Sequence, residues 1–319
     1  MVGSMSKMLD ITYLTNQSVD VMIDDVSEDG FFDTLLDYCG GGPIAVLQAY
    51  FDESERQNGL LCVAGYGFMP THARKFSKEF GAVFGSYGGF HMKELVAKKK
   101  GYKGISDAKR EELIKDAVRI VTEHFSFGVA VAVNIHEYDK FAPTRIRGLS
   151  HAYPFLCHCA MMAMVTVAKQ RGLNDGMTYI FEAGHSRMAA AKFNVSQMTS
   201  TPDLRKFYNY RGHAFLPKSD AVPLQAADLL AWEIGKFKTE TLDSEQRDIR
   251  MSLLRLIAPD SSRYSIHFMQ GERLRVAMDK FRKLGLEQIT EDDIERVRRA
   301  TDASERQIRR SSKKGAVRI

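Results

Sequence analysis

Short apolar runs that are typical of buried β-strands alternate with amphipathic patterns along the middle of this chain. The first run begins at Ile44, directly after Cys39-Gly-Gly-Gly-Pro43, where three glycines and a proline cannot continue a helix. We predict strands at residues 44–51, 60–68, 125–135, 177–182 and 210–216, with helices at 71–84, from 106, at 151–170 and at 223–237. The alternation predicts one mixed α/β domain, whose first two strands form a hairpin around Asn58-Gly59.

The length and composition are compatible with a folded protein of the cytoplasm. A chain of 319 residues that is 44% hydrophobic can bury a sizeable core. Four cysteines are too few for a disulfide framework, which favours a reducing compartment. The longest apolar stretch, residues 155–168, is interrupted by His158 and is shorter than the roughly 20 residues that span a bilayer. We therefore expect no transmembrane helix, no signal peptide and no membrane partner.

Charge is distributed unevenly, although the formal net charge of +5 is small for this length. No lysine or arginine occurs between Met8 and Glu55, where aspartates accumulate, whereas the last residues of the chain are rich in arginine and lysine. The basic end can bind nucleic acid through its phosphates or can serve only to keep the protein soluble.

Four acidic residues lie where the hydrophobic pattern is otherwise apolar. Asp52 and Glu53 end the first predicted strand, Glu182 ends the fourth, and Asp228 lies in an apolar helical segment. A carboxylate buried in such surroundings stays ionised only beside a strong partner, because desolvation disfavours the charge. A divalent cation is one such partner.

The geometry of strands and helices refines this set. Neighbouring residues of a strand point to opposite faces, so Asp52 and Glu53 are unequal candidates. Asp52 is the better ligand, with Ser54 on its side if the strand continues. Asp228 shares a helical face with Gln225, three residues before it, and this face is predicted to lie against the sheet.

The chain resembles the domain of unknown function 3800 family, a predicted nuclease-like group with an RNase H-like fold. The matching segments are Tyr50-Phe51-Asp52-Glu53-Ser54, the His91-x-Lys93 segment, Phe181-Glu182 and Pro223-Leu-Gln-Ala-Ala-Asp-Leu-Leu-Ala-Trp232. The resemblance extends over residues 44–237. It implies an RNase H-like mixed sheet flanked by helices, with added N-terminal and C-terminal helical segments. The predicted organisation is an acidic extension at 1–42, the RNase H-like domain at 43–240, and a helical extension with a basic tail at 241–319.

The resemblance also implies a metal-dependent nuclease. Asp52, Glu182 and Asp228, with Glu53 as a further ligand, are expected to gather at the carboxyl ends of central strands and bind Mg²⁺ or Mn²⁺. Two such cations about 3.5–4 Å apart stabilise the attacking and leaving oxygens of phosphodiester hydrolysis.

Other residues of this segment are candidates for proton transfer and substrate binding. His91 and His185 can move protons, while Lys93, Arg187 and Ser54 can contact a phosphate of DNA or RNA.

Two alternatives remain open at this stage. The acids can have structural roles, with Asp52 and Glu53 capping a turn, Glu182 pairing with Arg187, and Asp228 in an ion pair. The whole domain can also be a catalytically inactive binding module, a nucleic-acid or protein interaction subunit within a homo-oligomer or a larger complex.

Overall fold

One mixed sheet lies at the centre of the protein. The computed structural model describes residues 46–142, 150–242 and 250–283. The strands in these ranges are β1 (Leu47–Glu55), β2 (Leu60–Phe68), β3 (Phe127–Asn134), β4 (Met177–Glu182), β5 (Tyr210–Leu216) and β6 (Tyr264–Met269). Their order in the sheet is β5-β4-β1-β2-β3-β6. Strands β1, β2 and β3 form an antiparallel meander, β4 and β5 continue parallel to β1, and β6 runs parallel to β3.

Helices connect the strands and cover the sheet. The α-helices of the described residues are α1 (Pro70–Phe84), α2 (Met92–Val96), α3 (Asp107–His124), α4 (Ile135–Phe141), α5 (Ala152–Gln170), α6 (Met188–Gln197), α7 (Pro202–Phe207), α8 (Leu224–Leu242), α9 (Met251–Ile257) and α10 (Gly271–Lys283). Short 3-10 helices occur at Gly85–Tyr87, Lys100–Tyr102 and Ala258–Arg263.

Local sequence signals explain several of these boundaries. The hairpin between β1 and β2 turns at Gly59, whose φ of 77° is favourable for glycine, and Asn58 Oδ1 accepts the Leu60 amide. Ser106 caps α3 by accepting the Lys109 amide at 3.1 Å. Every residue of β2 is buried because this strand is central in the sheet and is covered on both faces.

Two apolar cores lie on the two faces of the sheet. On one face, α5 packs against β2 and β3, and on the other α8 packs against β1 and β2 together with α1 and α3. Helix α5 is long and apolar enough to cross a membrane, but 78% of its most apolar segment is buried inside the domain, as in the core helix of a folded protein. The predicted mixed sheet flanked by helices is confirmed.

The region after residue 240 contains a strand that the sequence did not predict. We expected helices alone in this segment, whereas β6 forms between α9 and α10 and pairs with β3. The short helices α4, α6 and α7 were also not predicted, and α8 extends to Leu242 rather than to residue 237. The acidic extension at 1–42 and the basic tail lie outside the described residues, so the domain boundaries stay predictions.

Candidate functional site

Three of the predicted acids meet at the carboxyl ends of β1 and β4. The two strands are parallel neighbours with Phe51 opposite Phe181, so the residues that follow, Asp52 and Glu182, lie side by side. Carboxylate oxygens of Asp52, Glu53 and Glu182 all lie within 4.8 Å of one another. We call these three residues the acidic cluster.

Asp52 and Glu53 belong to β1 itself. They pair with Ala64 and Val63 of β2, so the alternative in which they cap a turn does not hold. The two side chains leave opposite faces of the sheet, as predicted for neighbours in a strand. Asp52 lies on the α8 side, is buried, and accepts the Glu53 amide at 2.8 Å through Oδ1.

Asp228 is connected to the acidic cluster through a lysine. Lys218 Nζ lies 2.7 Å from Asp52 Oδ2 and 2.7 Å from Asp228 Oδ1. The side chains of Asp52 and Asp228 are 2% and 6% exposed, so the ammonium bridges two buried carboxylates. The ion pair required by the structural interpretation of Asp228 is therefore present.

The other contacts of Asp228 come from the start of α2. His91 Nδ1 lies 3.0 Å from Asp228 Oδ1, and the Met92 amide donates to Asp228 Oδ2 at 2.7 Å. Gln225, one turn earlier on α8, accepts the Phe90 amide at 2.7 Å. Helix α8 thus fixes the loop that carries His91 at two points, which places the His91 ring beside the site.

The charges of the site interact strongly. Burial raises the pKa of Asp52 well above its ordinary value, and the charge of Asp228 raises it further against the opposing effect of Lys218. Burial and then the charge of Glu182 raise the pKa of Glu53 to about 7. For Asp228, burial would raise the pKa, but Lys218 and His91 outweigh it and hold the pKa below its usual range. Asp228 is therefore the stably ionised partner of Lys218.

Glu182 is positioned by a tight loop. The Gly184 amide donates to Glu182 Oε2, and a Cβ at residue 184 would stand 2.6 Å from that oxygen. A side chain at residue 184 would therefore require the Glu182 carboxylate to shift.

His185 lies on the opposite side of the site from His91. Its ring stacks on Tyr153 with 3.7 Å between centroids, and its Nδ1 accepts the Arg187 amide at 2.9 Å. Burial lowers the pKa of His185 to about 4, with further lowering by Arg187 and His151. The ring is therefore neutral at pH 7, and its Nδ1 lone pair is already in use.

The three predicted phosphate contacts are less closely grouped. Lys93 is exposed on α2, two residues after His91, and Arg187 is exposed at the start of α6, five residues after Glu182. Ser54 follows Asp52 on the same face of β1, where its hydroxyl lies near Gly235 of α8. The side chains of Lys93 and Arg187 are thus available to solvent.

Sequence reasoning did not select Lys218. The signal that could have identified it is its place two residues after β5, because parallel strands β1, β4 and β5 end at the same edge of the sheet. A lysine just beyond such a strand reaches the same point as carboxylates at the ends of its neighbours. Tyr153, which supports His185 from α5, was missed for lack of any comparable signal.

The fold is a mixed α/β domain, and its acidic cluster is a candidate cation site. No protein-family model matches the chain, so membership of the domain of unknown function 3800 family stays a prediction, and no curated protein matches it. Similar solved structures include RNase HII of the PCNA:RNase HII complex from Archaeoglobus fulgidus, 16% identical, with 78% of this chain and 100% of that chain covered and a TM-score of 0.33.

Two further solved structures are similar at the same level. Bst-RNase HIII in complex with Mn²⁺ is 13% identical, with 75% of this chain and 80% of that chain covered and a TM-score of 0.31. Ribonuclease H2 from Pyrococcus horikoshii is 14% identical, with 75% and 100% covered and a TM-score of 0.31.

Proposed function

We propose that this protein is a divalent-metal-dependent nuclease that hydrolyses phosphodiester bonds in DNA or RNA. The observation that carries the proposal is the acidic cluster, in which Asp52, Glu53 and Glu182 bring carboxylate oxygens within 4.8 Å of one another. Three carboxylates this close repel each other unless a cation or protons compensate their charge. Mg²⁺ and Mn²⁺ favour such oxygen donors.

The residues present fit a cation in one further respect. The pKa of Glu53, raised to about 7 by burial and by Glu182, means that its negative charge is incompletely compensated. A bound divalent cation would supply charge stabilisation at a phosphoryl oxygen and a more acidic water.

Among the two histidines, His91 is the better placed to move a proton. Its Nδ1 faces the Asp228 carboxylate, which can only accept, so Nδ1 carries a hydrogen and Nε2 is left for a bound substrate. The side chain is 40% exposed and can therefore reach a bound substrate. His185 is less suitable, because its Nδ1 already accepts a backbone amide.

A second function, the inactive binding module, is favoured by one specific contact. The Lys218 ammonium contacts both Asp52 and Asp228 and compensates one of their two negative charges. A site stabilised in this way can persist in a domain that binds nucleic acid or a protein and cleaves nothing.

Cleavage of labelled nucleic acids separates the two functions. Single-stranded and double-stranded DNA and RNA are incubated with Mg²⁺ or Mn²⁺, using wild type, Asp52→Asn, Glu182→Gln and the control Glu55→Gln, which changes an exposed residue of the same strand. The nuclease proposal requires metal-dependent cleavage by wild type and by the control, with loss in the other two variants. Binding of nucleic acid without cleavage under every condition would support the binding module instead.

A further inference from the structure

Lys218 occupies a position between the acidic cluster and Asp228 that bears on how many metal ions the site can hold. Its Nζ is 2.7 Å from an oxygen of Asp52 and 2.7 Å from an oxygen of Asp228. The two carboxylates come from β1 and α8, and the lysine comes from the turn between β5 and α8. Three separate segments thus converge on one ammonium group.

The surrounding contacts hold the ammonium in place. Gln225 Nε2 donates to the Lys218 carbonyl oxygen at 3.1 Å, which fixes the backbone of the turn. Asp228 is itself held by the Met92 amide and by His91. The Lys218 side chain is 20% exposed, so most of its length is packed within the protein. The Lys218 side chain is therefore held in a fixed position within the site, unlike the side chain of an exposed lysine.

The contacts of Lys218 favour one divalent cation over two. Asp52, Glu53, Glu182 and Asp228 carry at most four negative charges, and Lys218 compensates one of them. A paired-metal site requires a carboxylate shared between two cations about 3.5–4 Å apart. Asp52 is the carboxylate that two cations would share, but the Lys218 ammonium already contacts its Oδ2. A second divalent cation between Asp52 and Asp228 would have to displace the Lys218 ammonium or lie beside its positive charge.

We propose that Lys218 takes the place of a second metal ion, so that the site binds a single divalent cation on the Asp52, Glu53 and Glu182 side. This inference rests on the proposed metal-dependent function and specifies the site further. The ammonium has three N–H donors, and its contacts with Asp52 and Asp228 leave a third for a phosphate oxygen. Lys218 thereby supplies a positive charge that can bind an anionic, phosphate-bearing substrate.

The test is the number of Mn²⁺ ions bound, measured by calorimetry without substrate. The proteins are full-length wild type, Lys218→Met, Lys218→Arg and the control Lys75→Met, which removes the same charge from an exposed residue of α1. We expect one Mn²⁺ for wild type, for Lys218→Arg and for the control. For Lys218→Met we expect two, because the neutral side chain opens the contact between Asp52 and Asp228 to a cation.

The other outcomes separate the two proposals. Two Mn²⁺ ions in wild type, or one in Lys218→Met, would overturn the role of Lys218 while leaving the metal site intact. Absence of Mn²⁺ binding in wild type would overturn the proposed metal function and this inference with it. Should Lys218→Met fail to fold, electron paramagnetic resonance of Mn²⁺-saturated wild type decides: an uncoupled signal supports one ion, and a spin-coupled pair refutes it.

Discussion

Replacing Asp228 by asparagine removes one charge from the buried Lys218 bridge and changes little else in shape. In wild type, Asp228 contacts Lys218 at 2.7 Å, His91 at 3.0 Å and the Met92 amide at 2.7 Å. Removing one partner of a buried ion pair typically costs about 3–5 kcal/mol, because it leaves the other charge uncompensated. Here Lys218 keeps Asp52, and the repulsion between Asp52 and Asp228 disappears. We therefore expect the metal-free protein to lose about 2–3 kcal/mol, at or below the lower end of that range.

Urea unfolding in the presence of a chelator measures this loss directly. The matched control is Asp220→Asn, the same substitution at an exposed residue of the turn that carries Lys218, where we expect a change within about 0.5 kcal/mol. Equal or greater stability of Asp228→Asn in the metal-free state would refute the reasoning. It would show that repulsion between Asp228 and the neighbouring carboxylates destabilises the metal-free protein, and that a bound metal normally relieves this repulsion, as expected of a metal ligand.

Three further predictions concern the neighbours of the bridge. Because burial and Glu182 raise the pKa of Glu53 from 4.5 to about 7, the folded state binds more protons than the unfolded chain in that interval. Metal-free stability should therefore fall as pH rises from 4.5 to 7, and urea unfolding of Glu53→Gln should show a flatter dependence. Gly184→Ala should weaken Mn²⁺ binding in calorimetry by displacing Glu182, whereas Gly81→Ala, which meets no atom within 4 Å, should bind normally. Gln225→Ala should cost about 2–4 kcal/mol in urea unfolding, since it leaves a buried amide and a carbonyl without their partners.

The elements that the sequence predicted correctly are those with strong local signals. Strand β2, strand β4 and strand β5 have the predicted bounds, because each is an apolar run bounded by glycine, asparagine or another turn-forming residue. Strand β6 was missed although apolar and polar residues alternate over 264–268, because the run is short and lies in a segment that was predicted to be helical. It pairs in parallel with β3 at the edge of the sheet.

The acidic residues of the candidate site could be predicted from the sequence, whereas Lys218 could not. Asp52 and Glu182 come directly after apolar runs within β1 and β4, and strand geometry alone is enough to place such residues at one edge of a sheet. Lys218 lies in a polar turn, where a lysine carries no sign of burial. Only the three-dimensional arrangement shows that this turn folds over Asp228, and hence that Asp228 pairs with an amine.

The contacts made by Gln225 and Asp228 also bear on when the site forms during folding. Their partners Phe90 and Met92 are 135 and 136 residues away in the chain. Closing loops of this length is entropically costly and slow, whereas the hairpin of β1 and β2 forms from neighbouring residues. We therefore expect the hairpin to precede the docking of α8 and the assembled site to appear late. Ability to bind Mn²⁺ during refolding would then report completion of the fold.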